Sequence, residues 1–420
     1  MSETNISDRK RHALDLCQRY WMPGRVESFR QLGIPLVIGR REGYRMWDVD
    51  GHELIDVHLN GGTFNLGHRH PDIVRTLVEA TAEVDIGNHH FPSEARGELA
   101  EMLARLTPGD LRYSVFGATG SEVVDVAIRT ARKATGRRKI VAIDQGYHGR
   151  VGLAGQAGDD ATARYFLSDA PQEFAKVPFG ELSAVEQELA AGDVAAVILE
   201  TVPATYGFPV PPDGYLPGIK AACEKCGALY IADEVQTGLG RTGQMWGVET
   251  FGVTPDILVT AKGLGGGVYP IGAAVLSEGV AGWLFENAWG HVSTSGGAEI
   301  GCRVAMKVLE LCAAPETLAN VRRQSEHLYA GLAAIQRRNP FLVEIRRVGL
   351  VMGLKVDHPQ GALHLVKALY DRGVWAMFAG YDLSVLQFKP GLLVDTALCD
   401  ELLEKLEAAL SAARDAATRA

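Results

Sequence analysis

Asp233-Glu-Val-Gln-Thr-Gly-Leu-Gly-Arg-Thr-Gly243 and Lys262-Gly-Leu-Gly-Gly-Gly267 hold the residues of this chain best suited to chemistry. The apolar run 229–232, Leu-Tyr-Ile-Ala, predicts a buried strand just before Asp233. That places a carboxylate at the carboxyl end of a strand, where open α/β sheets bind their ligands. A second run, 256–260, delivers Lys262 in the same way. An acid and a primary amine at neighbouring strand ends suit a pyridine-aldehyde cofactor. The acid pairs with the pyridinium nitrogen and the amine forms a Schiff base with the aldehyde.

The elements that must position these groups alternate between strand and helix, which predicts a mostly parallel sheet. Runs 139–143, 194–199, 229–232, 257–260 and 271–275 read as strands. Residues 121–134 read as a helix, because Val124, Ala127, Ile128 and Ala131 recur at i, i+3, i+4 and i+7. Phe116-Gly-Ala-Thr-Gly-Ser-Glu122 opens that helix. Its first turn is either a phosphate site, with Gly120 allowing close approach and Ser121 adding a hydroxyl, or only a capped helix start. Residues 44–51 read as a hairpin with Asp50-Gly51 in the turn, 60–71 as a loop, and 399–413 as an amphipathic C-terminal helix. No internal repeat or low-complexity linker divides the chain. The reading gives an N-terminal segment 1–70, a central block 71–310 and a smaller α+β part 311–420.

The chain has 420 residues, enough for a large core, with 47% hydrophobic and 22% charged residues, as in ordinary globular proteins. A net charge of −9 leaves no basic footprint for nucleic acid, so an anionic ligand must be held by local groups. The first residues, Met-Ser-Glu-Thr-Asn-Ile-Ser-Asp, lack an apolar signal core, and no run reaches the length of a membrane span. Six scattered cysteines include one C-x-x-C, Cys223 and Cys226, on a predicted helix. Without a second pair or a nearby Cys/His cluster they read as structural, no metal site is expected, and a reducing cytoplasm is the expected compartment.

Asp-Glu-x-Gln-Thr-Gly-x-Gly-Arg-Thr-Gly with the downstream Lys-Gly-x-Gly-Gly-Gly resembles the class III aminotransferases, from about Tyr44 to about Leu410. The resemblance implies pyridoxal 5′-phosphate on the type I fold. In that fold a large domain with a mostly parallel seven-stranded sheet, flanked by helices, joins a smaller α+β domain built from both termini. It implies Lys262 as the Schiff-base lysine and Asp233 as the partner of the pyridine nitrogen. Gln236 would sit near the 3-hydroxyl and Val235 on one ring face. Gly120 and Ser121 would hold the phosphate, and Tyr147 of Gly146-Tyr-His-Gly149 would stack on the ring. His148 would touch either the substrate or only its own loop. Thr294, in His291-Val-Ser-Thr-Ser-Gly-Gly297, matches a threonine that crosses a dimer interface to the partner's phosphate. A homodimer with active sites at the interface follows, with His89, His90 and Phe91 near the neighbouring site's mouth. His68 and His70 read as loop residues, and Glu234 as structural.

Departures from the family pattern concern both the phosphate loop and the substrate. Ala118-Thr119 stands where the family usually has Asn-Ser, and Ala298-Glu299 where it usually has Asn-Pro. Gln387-Phe-Lys-Pro-Gly391 lacks the arginine that usually reads an α-carboxylate, and Thr205 replaces the glutamate that gates it. Losing both partners is electrostatically consistent, since losing one alone would strand a charge at a cost of about 3–5 kcal/mol. The pocket is therefore expected to be rebuilt. Lys389 would lie on the face of Gln387, either binding a carboxylate or phosphate or standing as a solvated lysine.

The leading expectation is an aminotransferase that moves an amino group from an amine or amino-acid donor to a keto or aldehyde acceptor. It would work through pyridoxamine phosphate by ping-pong kinetics. Racemases or epimerases, aminomutases and amine or phosphorylated-amine lyases on the same fold are the alternative. Gln236 counts against glutamate-semialdehyde aminomutases, which usually carry Met there. A non-enzymatic cofactor-binding regulator is disfavoured by the intact Lys262 and the lack of room for a DNA-binding domain before Tyr44.

Overall fold

The strands read from the apolar runs form side by side. The computed structural model describes residues 6–419, so the first five residues of the polar N-terminus lie outside it. Its largest sheet runs Leu111–Gly117, Gly272–Ser277, Ile257–Thr260, Leu229–Asp233, Val194–Glu200, Lys139–Ile143 and Phe174–Val177. Gly272–Ser277 is antiparallel to both neighbours, and the remaining adjacent pairs are parallel. This is the seven-stranded, mostly parallel α/β sheet of the type I fold.

Both faces of the sheet are covered, which is why its central strands are continuous apolar runs. Val141, Ile143, Val197 and Leu199 enter one apolar cluster. Their chain neighbours Ile140, Ala142 and Ile198 enter another, with Val124 and Ile128 of the Gly120–Thr135 helix. That helix is well terminated. The Thr119 side chain accepts from Glu122 N–H, Ala118 N–H donates to Glu122 Oε2 at 2.7 Å, and Gly136 closes the other end at φ 67°.

Two smaller sheets flank this one. Ile38–Glu42, Arg45–Asp48 and Glu53–Asp56 form an antiparallel meander that includes the expected hairpin. Val374–Trp375 adds to its edge, parallel to Glu53–Asp56. The second small sheet is Leu342–Val348, Val351–Val356, Asp382–Phe388 and Met377–Ala379, all antiparallel. Helix Asp8–Tyr20 is pinned to the meander by a fully buried pair, Lys10 Nζ to Asp48 Oδ2 at 2.5 Å. The boundary expected near 310 falls inside the unbroken helix Glu299–Ala313. Among the described residues no helix is long and apolar enough to cross a membrane.

Candidate active site

Parallel strands in register bring their ends to one level, and here that level is acidic. Glu200 and Asp233 are register partners at the ends of adjacent strands. Asp233 is buried, and each of its oxygens has a partner. Val235 N–H donates to Oδ1 at 3.0 Å, and His148 Nδ1 meets Oδ2 at 2.7 Å. His148 therefore does not stand free in its loop, because 85 residues of chain close to make this contact.

Lys262 begins a tight turn, Lys262–Gly265, just after the Ile257–Thr260 strand. Its φ is 45°, a left-handed conformation that costs an L-residue with a Cβ roughly 1–2 kcal/mol. Such strain concentrates at functional positions. Burial lowers the Lys262 amine below its ordinary value, while Asp233 and Glu200 oppose the shift. The Nζ lies 6.0 Å from the centroid of the Tyr147 ring. Gly61 comes so close that a Cβ there would sit 3.4 Å from Lys262 Cε and 3.9 Å from Gln236 Oε1.

The helix start completes the cluster. A Cβ on Gly120 would lie 3.4 Å from Val235 Cγ1, so the strand-end loop and the helix N-terminus touch here. A Cβ on Gly149, at φ 128°, would meet Ser121 Oγ at 2.0 Å, so only glycine lets the 146–149 loop pass over Ser121. Lys262, Asp233, Gln236, Val235, Gly120, Ser121, Tyr147 and His148 are thus gathered into one site. Thr294 is not among them. It is exposed in the loop before Glu299–Ala313.

The substrate-side expectations divide. The backbone carbonyl of Thr205 accepts from Tyr381 N–H at 3.0 Å. Gln387 is spent on its surroundings: Nε2 donates to the Phe378 carbonyl at 3.2 Å, and Oε1 accepts from Lys389 Nζ at 2.5 Å. The solvated alternative for Lys389 is overturned, because the residue is 0% exposed. Its amine lies 5.6 Å from the Phe208 ring centroid. Burial, then Arg241 and Lys262, push it well below the usual value for lysine. A lowered amine costs least above its unfolded value of 10.5, and the cost is complete once pH falls through the folded value. Lys389→Met removes this cost together with the bond to Gln387 Oε1. Thermal melts should therefore show the variant more stable relative to the parent at pH 6 than at pH 10.

Several residues of the site were not singled out from the sequence. Glu200 accepts Tyr147 N–H at 2.9 Å and Ala204 N–H at 3.1 Å, and so holds the loop that carries Tyr147. Burial and then Asp233 push its carboxyl up to about 7. Reading the 194–199 run one residue further would have found it at the level of Asp233. His58 has a buried Nδ1 without a hydrogen-bond partner among the described residues and is held well below its usual value by burial, Lys389 and Lys262. Arg150, three residues after Tyr147, has its guanidinium carbon 5.1 Å from that ring's centroid.

The residues fit pyridoxal phosphate. Buried His148 Nε2 and Gln236 Oε1 have no partner among the described residues, and both belong to the cluster around Asp233 and Lys262. Ser121 and the helix N-terminus supply donors for a phosphate, and Asp233 supplies an anion for a protonated ring nitrogen.

The chain is similar to known aminotransferases. The Aminotransferase class-III family profile matches residues 28–410. An uncharacterized aminotransferase of Archaeoglobus fulgidus is 48% identical over 405 residues, covering 96% of this chain and 95% of the relative. A putrescine aminotransferase of Pectobacterium atrosepticum is 34% identical over 368 residues, covering 85% and 78%. A solved transaminase from the marine bacterium Virgibacillus matches with a TM-score of 0.90 at 25% identity, covering 96% of this chain and 99% of that one. With a strained lysine and a paired aspartate at the strand ends, and a family match over most of its length, the chain belongs to the class III aminotransferases.

Proposed function

We propose that this aminotransferase takes the amino group of a primary amine or amino acid and passes it to a carbonyl acceptor, with pyridoxal phosphate held by Lys262 and Asp233. The observation that carries this is Lys262, a half-buried lysine at φ 45° facing the Gln236 side chain and the Tyr147 ring. The cofactor would supply an aldehyde that condenses with amines and a ring that accepts the electron pair released at the substrate's Cα. Lys262 Nζ, free once substrate has replaced it, moves the proton. Its lowered basicity raises the fraction able to accept one. Asp233 holds the proton on the ring nitrogen, and His148 Nδ1–H orients that carboxylate. Gln236 would reach the 3-hydroxyl, Val235 and Tyr147 would enclose the ring, and Gly120 and Ser121 would hold the phosphate.

Arg150 is assigned to an anionic group at the far end of the substrate, because it is the half-exposed cation beside Tyr147. Gln387 and Thr205 then form an uncharged wall in place of an arginine–glutamate pair, with Lys389 buried and bonded to Gln387. Residues 1–70 and 311–420 are assigned to a small domain and 71–310 to the large one, an assignment supported by the pairing of Val374–Trp375 with Glu53–Asp56. Thr294, exposed and apart from its own site, is assigned to the partner's phosphate in a homodimer. All six cysteines are free, which supports a cytoplasmic setting.

The test is the absorbance of the loaded enzyme as single amines are added without acceptor. The panel contains α-amino acids, ω-amino acids, diamines and phosphorylated amines. Stoichiometric bleaching of the cofactor band is expected, with the fastest amine defining the donor class. A band that persists while Cα protons exchange or ammonia forms would instead favour a racemase or lyase.

A further inference from the structure

Arg150 already has an anion. Its Nη1 donates to Asp159 Oδ2, and its Nη2 lies 3.4 Å from the hydroxyl of Tyr381. The Tyr381 hydroxyl donates to the same Asp159 oxygen at 2.6 Å. Asp159 is 7% exposed, whereas the Arg150 side chain is 40% exposed. The cation therefore faces solvent and its counter-ion does not. Burial opposes ionisation of Asp159, yet Tyr381 and Arg150 hold its carboxyl at about 2. It is an anion at every working pH.

The triad is built from three separate pieces of chain. Arg150 follows the stacking residue Tyr147. Asp159 caps the short helix Asp160–Tyr165, its Oδ1 accepting Thr162 N–H at 2.9 Å. Lys176 Nζ fixes the loop before it, donating to the carbonyls of Gln156 at 2.8 Å and Gly158 at 2.5 Å. Tyr381 comes from the tip between Met377–Ala379 and Asp382–Phe388, and its backbone N–H is tied to Thr205.

A guanidinium has five N–H donors in a rigid fork, and a carboxylate binds it best with two at once. Asp159 and Tyr381 hold one donor on each terminal nitrogen. Three donors remain for an incoming carboxylate, but it must share the guanidinium with Asp159, whose charge already balances it. An amine with an apolar tail meets a guanidinium whose charge is already balanced.

We infer that Asp159 and Tyr381 act as an internal counter-ion gate on Arg150, letting one pocket accept amines both with and without a distal carboxylate. The inference rests on Arg150 being the substrate-facing cation. Asp159 competes with acidic substrates for Arg150 and shields apolar ones from an unpaired charge. It is a specificity-determining residue and touches no reacting atom.

The experiment compares 4-aminobutanoate with n-butylamine, which differ by a carboxylate for a terminal methyl. Single-turnover bleaching of the loaded enzyme gives an apparent Kd and a maximal rate for each amine. Asp159→Asn keeps a good helix cap, so the loop should stay folded. The variant should favour 4-aminobutanoate over n-butylamine by about tenfold more than the parent, the size expected from unmasking one charge. Tyr381→Phe should move the ratio the same way by a smaller factor. The change should lie in Kd, with the maximal rates kept. Equal losses for both amines, or a ratio shifted toward n-butylamine, would overturn the gate. Arg150→Gln separates the two ideas. If it weakens 4-aminobutanoate alone while Asp159→Asn leaves the ratio unchanged, the gate fails and Arg150 stands. If it changes neither amine, the assignment of Arg150 fails and the gate with it.

Discussion

Lys262→Ala, loaded with cofactor, will lose turnover by about 10⁴-fold, the upper end of what a positioned acid–base group supplies. The size follows from position. The lysine is half-buried, and loss of solvation shifts its amine toward the neutral form. No other primary amine is poised to replace it. Lys389, a buried lysine near the site, is bonded to Gln387 Oε1. Lys262→Arg should be as inactive, because a guanidinium keeps its proton at any working pH. The check is single-turnover bleaching with n-butylamine across pH. The parent's rate should rise with pH as Lys262 gives up its proton, and the variants should show no such limb. A Lys262→Ala enzyme within tenfold of the parent would remove Lys262 from the chemistry.

Asp233→Asn is expected to lower the maximal rate by about 10²–10³-fold, the range for losing one preorganised electrostatic partner. Asparagine keeps an acceptor for Val235 N–H but no longer carries a charge. It also sets an amide against His148 Nδ1–H, where the native residue offers oxygen. A ring nitrogen that cannot stay protonated is a poorer electron sink. Cofactor content should survive, because Ser121, Gly120 and Lys262 are untouched. A variant with full cofactor and an unchanged maximal rate would sink the assignment.

The sequence showed what local pattern can show. Asp233 and Lys262 were visible because each follows an apolar run that could only be a buried strand. The helix over Ser121 was visible through its apolar spacing. Leu111–Gly117 and Phe174–Val177 were missed because both are edge strands. Leu111–Gly117 is interrupted by Arg112 and Ser114, and Phe174–Val177 is only four residues long with Lys176 in it. The partner of His148 was not legible, since nothing local links it to Asp233. Lys389 was open between binding and solvation because its burial is decided elsewhere. Phe208, Gln387 and the carbonyl of Val57, which accepts Lys389 N–H at 3.2 Å, enclose it. The Asp159–Arg150–Tyr381 triad spans 231 residues and has no sequence signature.

The parallel pairing of Glu53–Asp56 with Val374–Trp375 also sets a timetable. During synthesis the first partner leaves the ribosome roughly 300 residues before the second. At 5–20 residues per second the outer edge of the meander waits about 15–60 s with its backbone groups unpaired. Leu54 and Ile55 end up buried, so the waiting strand carries two apolar side chains beside its open backbone. Such an edge is a template for pairing with another chain. Until Val374–Trp375 emerges, a nascent copy therefore carries this open edge, and a chaperone that covers residues 45–56 would shield it.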